Sequence, residues 1–217
     1  MTSSALTLHG YFRSSAAYRV RIALNLKGLS WRHEGVLHLL RGEQRGAAYR
    51  DLNPQGLVPT LQDSDWVLTQ SLAIIEYLEE RHPAPSLLPG DIRTRARARQ
   101  IASAIACDIH PLNNLRVLKY LELHSKFDEI AKHGWIAHWI AEGFVALERE
   151  LTSMACGTFC VGDQPTIADC CLVPQVFNAT RFGVDMTPYE RIRTIVQACE
   201  VLDAFQLAHP SKQPDAN

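Results

Sequence analysis

Residues 6–28 constrain this chain more than any other stretch. Leu6, Leu8 and Tyr11 surround His9 and Gly10 in a short apolar run of strand length. Val20, Ala23 and Leu24, followed by Lys27-Gly28, read as a helix ending at a glycine. Ser14 and Ser15 stand between them, so the spacing predicts a strand that passes directly into a helix N-terminus. Such a junction gathers backbone N–H groups at the positive end of the helix dipole, and it suits an anion. A thiolate is one such anion. Either serine could equally serve only as the helix cap.

The rest of the N-terminal half adds three strands and a helix. Ser30 to Val36 alternates weakly like a strand, and Gly42 to Arg50 reads as a polar loop with a turn of helix. Asn53-Pro54-Gln55-Gly56-Leu57-Val58-Pro59 is punctuated by two prolines and a glycine. Thr60-Leu61-Gln62 and Trp66-Val67-Leu68 then predict a hairpin around Asp63-Ser64-Asp65. Thr69-Gln70-Ser71 opens a helix whose apolar face carries Leu72, Ile75 and Leu78, backed by the charges Glu79 and Glu80. Pro83, Pro85, Pro89 and Gly90 break the chain, which sets domains at 1–86 and 91–217.

Beyond that break the pattern is helical. Arg93, Arg95, Arg97 and Arg99 are spaced by two, which spreads them around a solvated helix start. Ile136, Ile140, Phe144, Leu147 and Leu151 form one helix face. Thr166 with Asp169 predicts a capping box, Pro174 a kink or interruption, and Thr187-Pro188-Tyr189-Glu190 a second capped start. The tail after Pro210 reads as disordered.

Composition closes off several classes of function. With 217 residues, 47% hydrophobic and 21% charged, the chain is long enough for one large domain or two small ones with real cores. A net charge of −1 gives no electrostatic case for nucleic acid or an anionic membrane. No apolar run approaches the ~18 residues of a membrane span, and Met1 to Leu8 does not resemble a signal peptide. A cytoplasmic protein is expected. The six cysteines (Cys107, Cys156, Cys160, Cys170, Cys171 and Cys199) lack the paired spacing of a metal site, so no metal is expected and they read as small buried hydrophobes.

Arg13-Ser-Ser, Tyr18-Arg-Val-Arg-Ile-Ala-Leu and Leu26-Lys-Gly resemble the opening of zeta-class glutathione transferases. Within that class the similarity is to bacterial maleylacetoacetate isomerases and the related maleylpyruvate isomerases. The resemblance runs essentially the whole chain. It implies an α/β thioredoxin-like N-terminal domain and an all-α C-terminal domain, the glutathione transferase fold, with a cis Val58–Pro59 peptide and a homodimer. Many zeta enzymes carry Ser-Ser-Cys where this chain has Ser14-Ser15-Ala16, which excludes a catalytic cysteine there.

The resemblance also assigns roles. Ser14, and after it Ser15, would hold the thiolate of glutathione. Lowering a thiol pKa from about 8.5 to ~6.5 corresponds to roughly 2.7 kcal/mol, within reach of a hydroxyl donor plus a helix N-terminus. Gln70 and Ser71 would take the γ-glutamyl end, Val58 and Pro59 the cysteinyl backbone, and Gln44 the glycyl end. Asp108-Ile-His-Pro-Leu-Asn-Asn-Leu-Arg116 is similar to the segment through which the zeta isomerases contact ligand, which places His110 and Asn114 beside glutathione. Positions 110 and 114 are one helical turn apart and can share a face. Arg13, Arg116 and Arg181 would bind a small dicarboxylate through paired hydrogen bonds.

The implied reaction is glutathione-dependent cis–trans isomerisation of maleylacetoacetate to fumarylacetoacetate. Maleylpyruvate isomerisation, a glutathione-conjugating transferase and a non-catalytic glutathione-binding scaffold are the alternatives.

Overall fold

A computed structural model of the chain describes residues 6–34, 39–153 and 157–216. Contacts divide it into two units, residues 1–87 with 200–217, and residues 88–199.

The first unit is built on a four-stranded mixed sheet of order β2-β1-β3-β4. Strand β1 (Leu6–His9) runs parallel to β2 (Trp31–Glu34) and antiparallel to β3 (Thr60–Asp63), which forms a hairpin with β4 (Trp66–Thr69). The expected hairpin is present, and Ser64 takes the positive φ of 61° its two-residue loop requires. Helix α1 (Ser15–Leu26) ends as the sequence predicts. Gly28 adopts φ +63°, its N–H reaches Asn25, and the N–H of Leu29 returns to the carbonyl of Leu24. Short helix α2 (Ala47–Leu52) follows two 3₁₀ turns, and α3 (Ser71–Arg81) follows β4. The last two expected strand residues, Gly35 and Val36, lie outside the described residues.

Glu79 departs from expectation. It does not back the helix with solvated charge. It is buried and accepts from Lys27 Nζ at 2.6 Å, and the same ammonium also donates to the carbonyls of His82 and Pro85. Leu87 N–H and Ser86 Oγ donate to the Glu79 carboxylate as well. Paired and hydrogen-bonded on all sides, the two charges tolerate burial.

The tail after Pro210 also departs from expectation. Helix α9 (Asp203–Ala208) packs on α1, and residues 210–216 continue as an ordered segment with Pro210 and Gln213 buried. Gln213 Nε2 donates to the carbonyls of Leu207 and His209. Its polar composition suggested disorder, but its hydrogen bonds are made to the tail itself and to partners about two hundred residues away.

The second unit is helical: α4 (Ile92–Ser103), α5 (Leu115–His124), α6 (Glu129–Ser153), α7 (Ile167–Arg181) and α8 (Glu190–Glu200). The predicted face of α6, Ile136, Ile140, Phe144, Leu147 and Leu151, is buried throughout. Thr166 and Asp169 form the predicted capping box. Pro174 sits inside an uninterrupted α7. Helix α8 begins at Glu190, later than Pro188, and its first N–H groups are capped from α6. The Glu148 carboxylate accepts from the N–H of Arg191 at 2.7 Å and of Ile192 at 2.9 Å. Cys160, Cys170, Cys171 and Cys199 are buried as expected, Cys107 is exposed, and Cys156 is not among the described residues.

Candidate active site

Strand register gathers most of the first unit's expected residues. His9 pairs with Thr60, and Thr60 pairs with Thr69. The exit from β1 at Gly10, the entry to β3 at Pro59 and the exit from β4 at Gln70 therefore lie at one end of the sheet.

At the first of these corners Ser14 is the N-cap of α1, in extended conformation (φ −67°, ψ 115°). Its Oγ accepts from Ala17 N–H at 3.2 Å, and its carbonyl accepts from Tyr18 N–H at 2.8 Å. Accepting through a lone pair leaves the hydroxyl proton available to an incoming acceptor. A cap and an anion-binding hydroxyl can thus share one geometry, because the cap bond fixes the rotamer that places Oγ. Ser15, the first helical residue, is buried. Arg13 is exposed, with its guanidinium 4.8 Å from the centre of the Phe12 ring.

At the second corner the Val58–Pro59 peptide is cis, as the resemblance implies. Tyr49 and Asn53, which sequence reasoning passed over, hold this loop. Tyr49 Oη donates to the Leu57 carbonyl at 2.7 Å and lies 2.8 Å from Thr60 Oγ1, and Asn53 Nδ2 donates to Leu57 at 2.7 Å. Burial raises the pKa of the Tyr49 hydroxyl, against its bonds to Thr60 and Asn53, so it remains a donor. No hydrogen bond among the described residues engages the Val58 backbone, which leaves it available to an extended peptide ligand. Gln44 is buried against this loop. Its Oε1 has no partner among the described residues, and its carbonyl lies where a Cβ on Gly56 would come within 2.9 Å.

At the third corner Gln70 takes φ 71°, a strained conformation for a residue with a side chain. Its Nε2 donates to Gln55 Oε1 at 2.9 Å. It precedes α3 without capping it by side chain, so the first turn of that helix stays open. Ser71 is buried, and its Oγ accepts from Arg19 Nη1 at 3.2 Å. Arg19, one of two arginines in the buried part of α1, was the one signal of this link in the sequence.

In the second unit the expected sharing of a helix face by His110 and Asn114 does not hold. Residues 104–109 form a π-helical turn and 110–113 a 3₁₀ turn, and Asn114 is the extended N-cap of α5. Pro111 and the Asn114 cap, whose Oδ1 accepts from Arg116 N–H, end the α-helical register between them. His110 is half-buried and Arg116 exposed at the start of α5. Arg181 is the last residue of α7, exposed, with its guanidinium 4.4 Å from the Phe182 ring centre. Among the described residues no group of three or more His, Cys, Asp or Glu could hold a metal ion, and no helix is long and apolar enough to cross a membrane.

Residues 13–81 match the family model of the glutathione S-transferase N-terminal domain. The chain is 49% identical over 214 residues to a probable maleylacetoacetate isomerase of Vibrio cholerae, covering 98% of this chain and 99% of that protein. A solved holo maleylpyruvate isomerase, described as a bacterial glutathione S-transferase of the zeta class, superposes with a TM-score of 0.95 at 48% identity. It covers 97% of this chain and 100% of its own. The chain belongs to the zeta-class glutathione transferases. A maleylacetoacetate isomerase of Methylobacterium extorquens AM1, solved with bound malonate and glutathione, is also similar to this zeta-class chain. It has a TM-score of 0.94 and 40% identity, over 97% of this chain and 99% of its own. The thioredoxin-like unit and the helical unit are those of the class.

Proposed function

We propose that this zeta-class chain is a glutathione-dependent cis–trans isomerase that converts maleylacetoacetate to fumarylacetoacetate, with maleylpyruvate as the alternative substrate. Full-length likeness to relatives bearing those names carries the reading. The open hydroxyl of Ser14 at the start of α1 supplies its physical basis.

The residues fit glutathione. The unengaged Val58 backbone beside cis Pro59 offers an edge for its peptide, and the open first turn of α3 at Gln70 and Ser71 receives its γ-glutamyl carboxylate. Gln44, His110 and Asn114 are assigned to the rest of the molecule. When bound, glutathione supplies a thiolate that adds reversibly to the maleyl double bond, so that rotation and elimination leave the trans alkene and unconsumed glutathione.

Ser14 donates its hydroxyl proton to that sulfur, and the dipole of α1 favours its charge. Ser15 is the second hydroxyl at this corner. Arg13, Arg116 and Arg181 bind the carboxylates and stabilise the negative charge that develops on the substrate oxygen. The thiol proton is released to solvent when bound glutathione ionises, and the addition, rotation and elimination that follow need no further proton and no change of oxidation state. We further propose that the enzyme is a cytoplasmic homodimer with a dicarboxylate substrate and no nucleic-acid or membrane partner.

The test is turnover of both maleyl substrates by purified protein, with glutathione measured before and after. Isomerisation with glutathione fully recovered is expected. Conjugation that consumes glutathione, with neither maleyl substrate turned over, would overturn the reading.

A further inference from the structure

The corner that carries Arg13 and Ser14 is not held by the sheet. Phe12, between β1 and Ser14, has both backbone groups bound by side chains. Its N–H donates to Asp215 Oδ2 at 2.9 Å, and its carbonyl accepts from Arg21 Nη2 at 3.0 Å. Asp215 Oδ1 lies 2.9 Å from His33 Nε2 on β2, and these two side chains are 14% and 8% exposed. Arg21 is fully buried, and its Nε donates to the carbonyl of Ala208, so it ties the same corner to the end of α9. Ser14 N–H donates to Tyr11, closing the turn around Phe12.

We propose that the C-terminal segment is a positioning element for the thiolate corner, with Asp215 as its positioning residue. A segment that only covered the core would need apolar contacts. This one instead carries a carboxylate aimed at a backbone N–H two residues from the cap, and a histidine on the neighbouring strand fixes the rotamer of that carboxylate. With Phe12 held at both groups, the Ser14 cap and the Arg13 guanidinium stacked on the Phe12 ring keep one orientation before any ligand arrives. Loss of the Asp215 bond frees the corner, and the Ser14 proton is then no longer held toward sulfur.

This inference rests on the reading of Ser14 as the thiolate donor, and the experiment separates the two. The ultraviolet absorbance of bound glutathione thiolate is titrated in the full chain and in Asp215→Ala, alongside kcat, KM and thermal melting. In the variant the bound thiol pKa should rise by about one unit and kcat fall about tenfold, with glutathione affinity within about threefold. Asp215→Asn, which keeps an acceptor oxygen, should recover most of the loss.

A folded Asp215→Ala with unchanged thiol pKa overturns the inference alone. Unmodified protein that fails to ionise bound glutathione overturns the Ser14 reading and this inference with it. Should Asp215→Ala not fold, amide exchange in the unmodified protein decides. Phe12 N–H protected as well as the N–H groups of β1 supports the clamp, and rapid exchange overturns it.

Discussion

Helices α1 and α7 both start at a hydroxyl side chain, and the two starts are finished in opposite ways. At α7 Thr166 is fully buried, its Oγ1 accepts from Ala168 N–H and donates to Asp169 Oδ2 at 2.8 Å, and its own N–H is bound by the same carboxylate. Asp169 Oδ1 takes Cys160 N–H as well. The Thr166 hydroxyl proton, which would otherwise be free for a ligand, is spent on Asp169. At α1 Ser14 is half-buried, accepts one bond and keeps its proton, and no carboxylate stands in the first turn to neutralise the dipole. A helix start that closes on itself stabilises the fold. One that stays open at a loop corner is available for chemistry, and its openness must be held from outside, here by Arg21 and Asp215.

The closed terminus should show the largest response to mutation. Asp169→Ala strands three donors in the core, the N–H groups of Thr166 and Cys160 and the Thr166 hydroxyl, at about 1–3 kcal/mol each, so roughly 3 kcal/mol or more in total. For a chain of this size that is about 6–12 °C in Tm, with kcat per folded molecule unchanged. Burial raises the Asp169 carboxyl above its usual range, against the lowering effect of the Cys160 and Thr166 donors. The folded state then binds this proton more tightly than the unfolded state. The contribution of Asp169 to stability accordingly declines as pH rises from the ordinary carboxylate range toward the raised value. Melting temperature against pH should carry that slope in the parent and lose it in Asp169→Asn.

The open terminus should answer in chemistry instead. Ser14→Ala costs about 1 kcal/mol of stability as a lost cap. Bound thiol pKa should rise by one to two units, which lowers the thiolate fraction about ten- to a hundredfold below the parent pKa and by less above it, while glutathione affinity stays within about threefold. Thiolate absorbance of the complex checks this. If Ser14→Ala loses stability alone, the two helix starts are alike after all.

Arginine variants test the substrate side of the same contrast. Arg13→Ala and Arg116→Ala should each raise KM for a maleyl dianion by about ten- to a hundredfold, the worth of a charge-assisted pair. Turnover of an uncharged electrophile should change little in Arg116→Ala. Equal losses on both kinds of substrate would make the arginines structural.

What was legible in the sequence follows the distance between partners. The capping box at Thr166, the Gly28 stop, the hairpin at Ser64 and the buried face of α6 are written within a few residues or a few turns, and local pattern exposes them. The cis Val58–Pro59 peptide came from resemblance, not from spacing, and the roles proposed for His110, Asn114 and Arg116 rest on the same resemblance. Glu79 looked solvated because its partner Lys27 is 52 residues away. The tail looked disordered because Asp215 finds Phe12 across 203 residues. Helix α8 is capped by Glu148 from another helix, and the turn at 104–109 is π-helical where local pattern gave no sign of it. Polar residues bound to distant partners look like surface in a sequence, and at this candidate site they set the geometry.

The smallest effect is expected one residue further on. Ser15 is the first residue of α1, where a hydroxyl does not cap the helix and alanine has the better helix propensity. It is buried, so Ser15→Ala loses whatever its hydroxyl contacts, and the two changes should leave stability within about 1 kcal/mol of the parent. Because the Ser14 cap and its anchored corner remain, the bound thiol pKa should move by less than about half a unit, well below the shift in Ser14→Ala. The double variant should then resemble Ser14→Ala, since removing a lesser donor after the main one has gone changes little. A larger thiol shift in Ser15→Ala than in Ser14→Ala would move the thiolate from the cap to the first helical residue. The contrast between an open and a closed cap would then describe stability only.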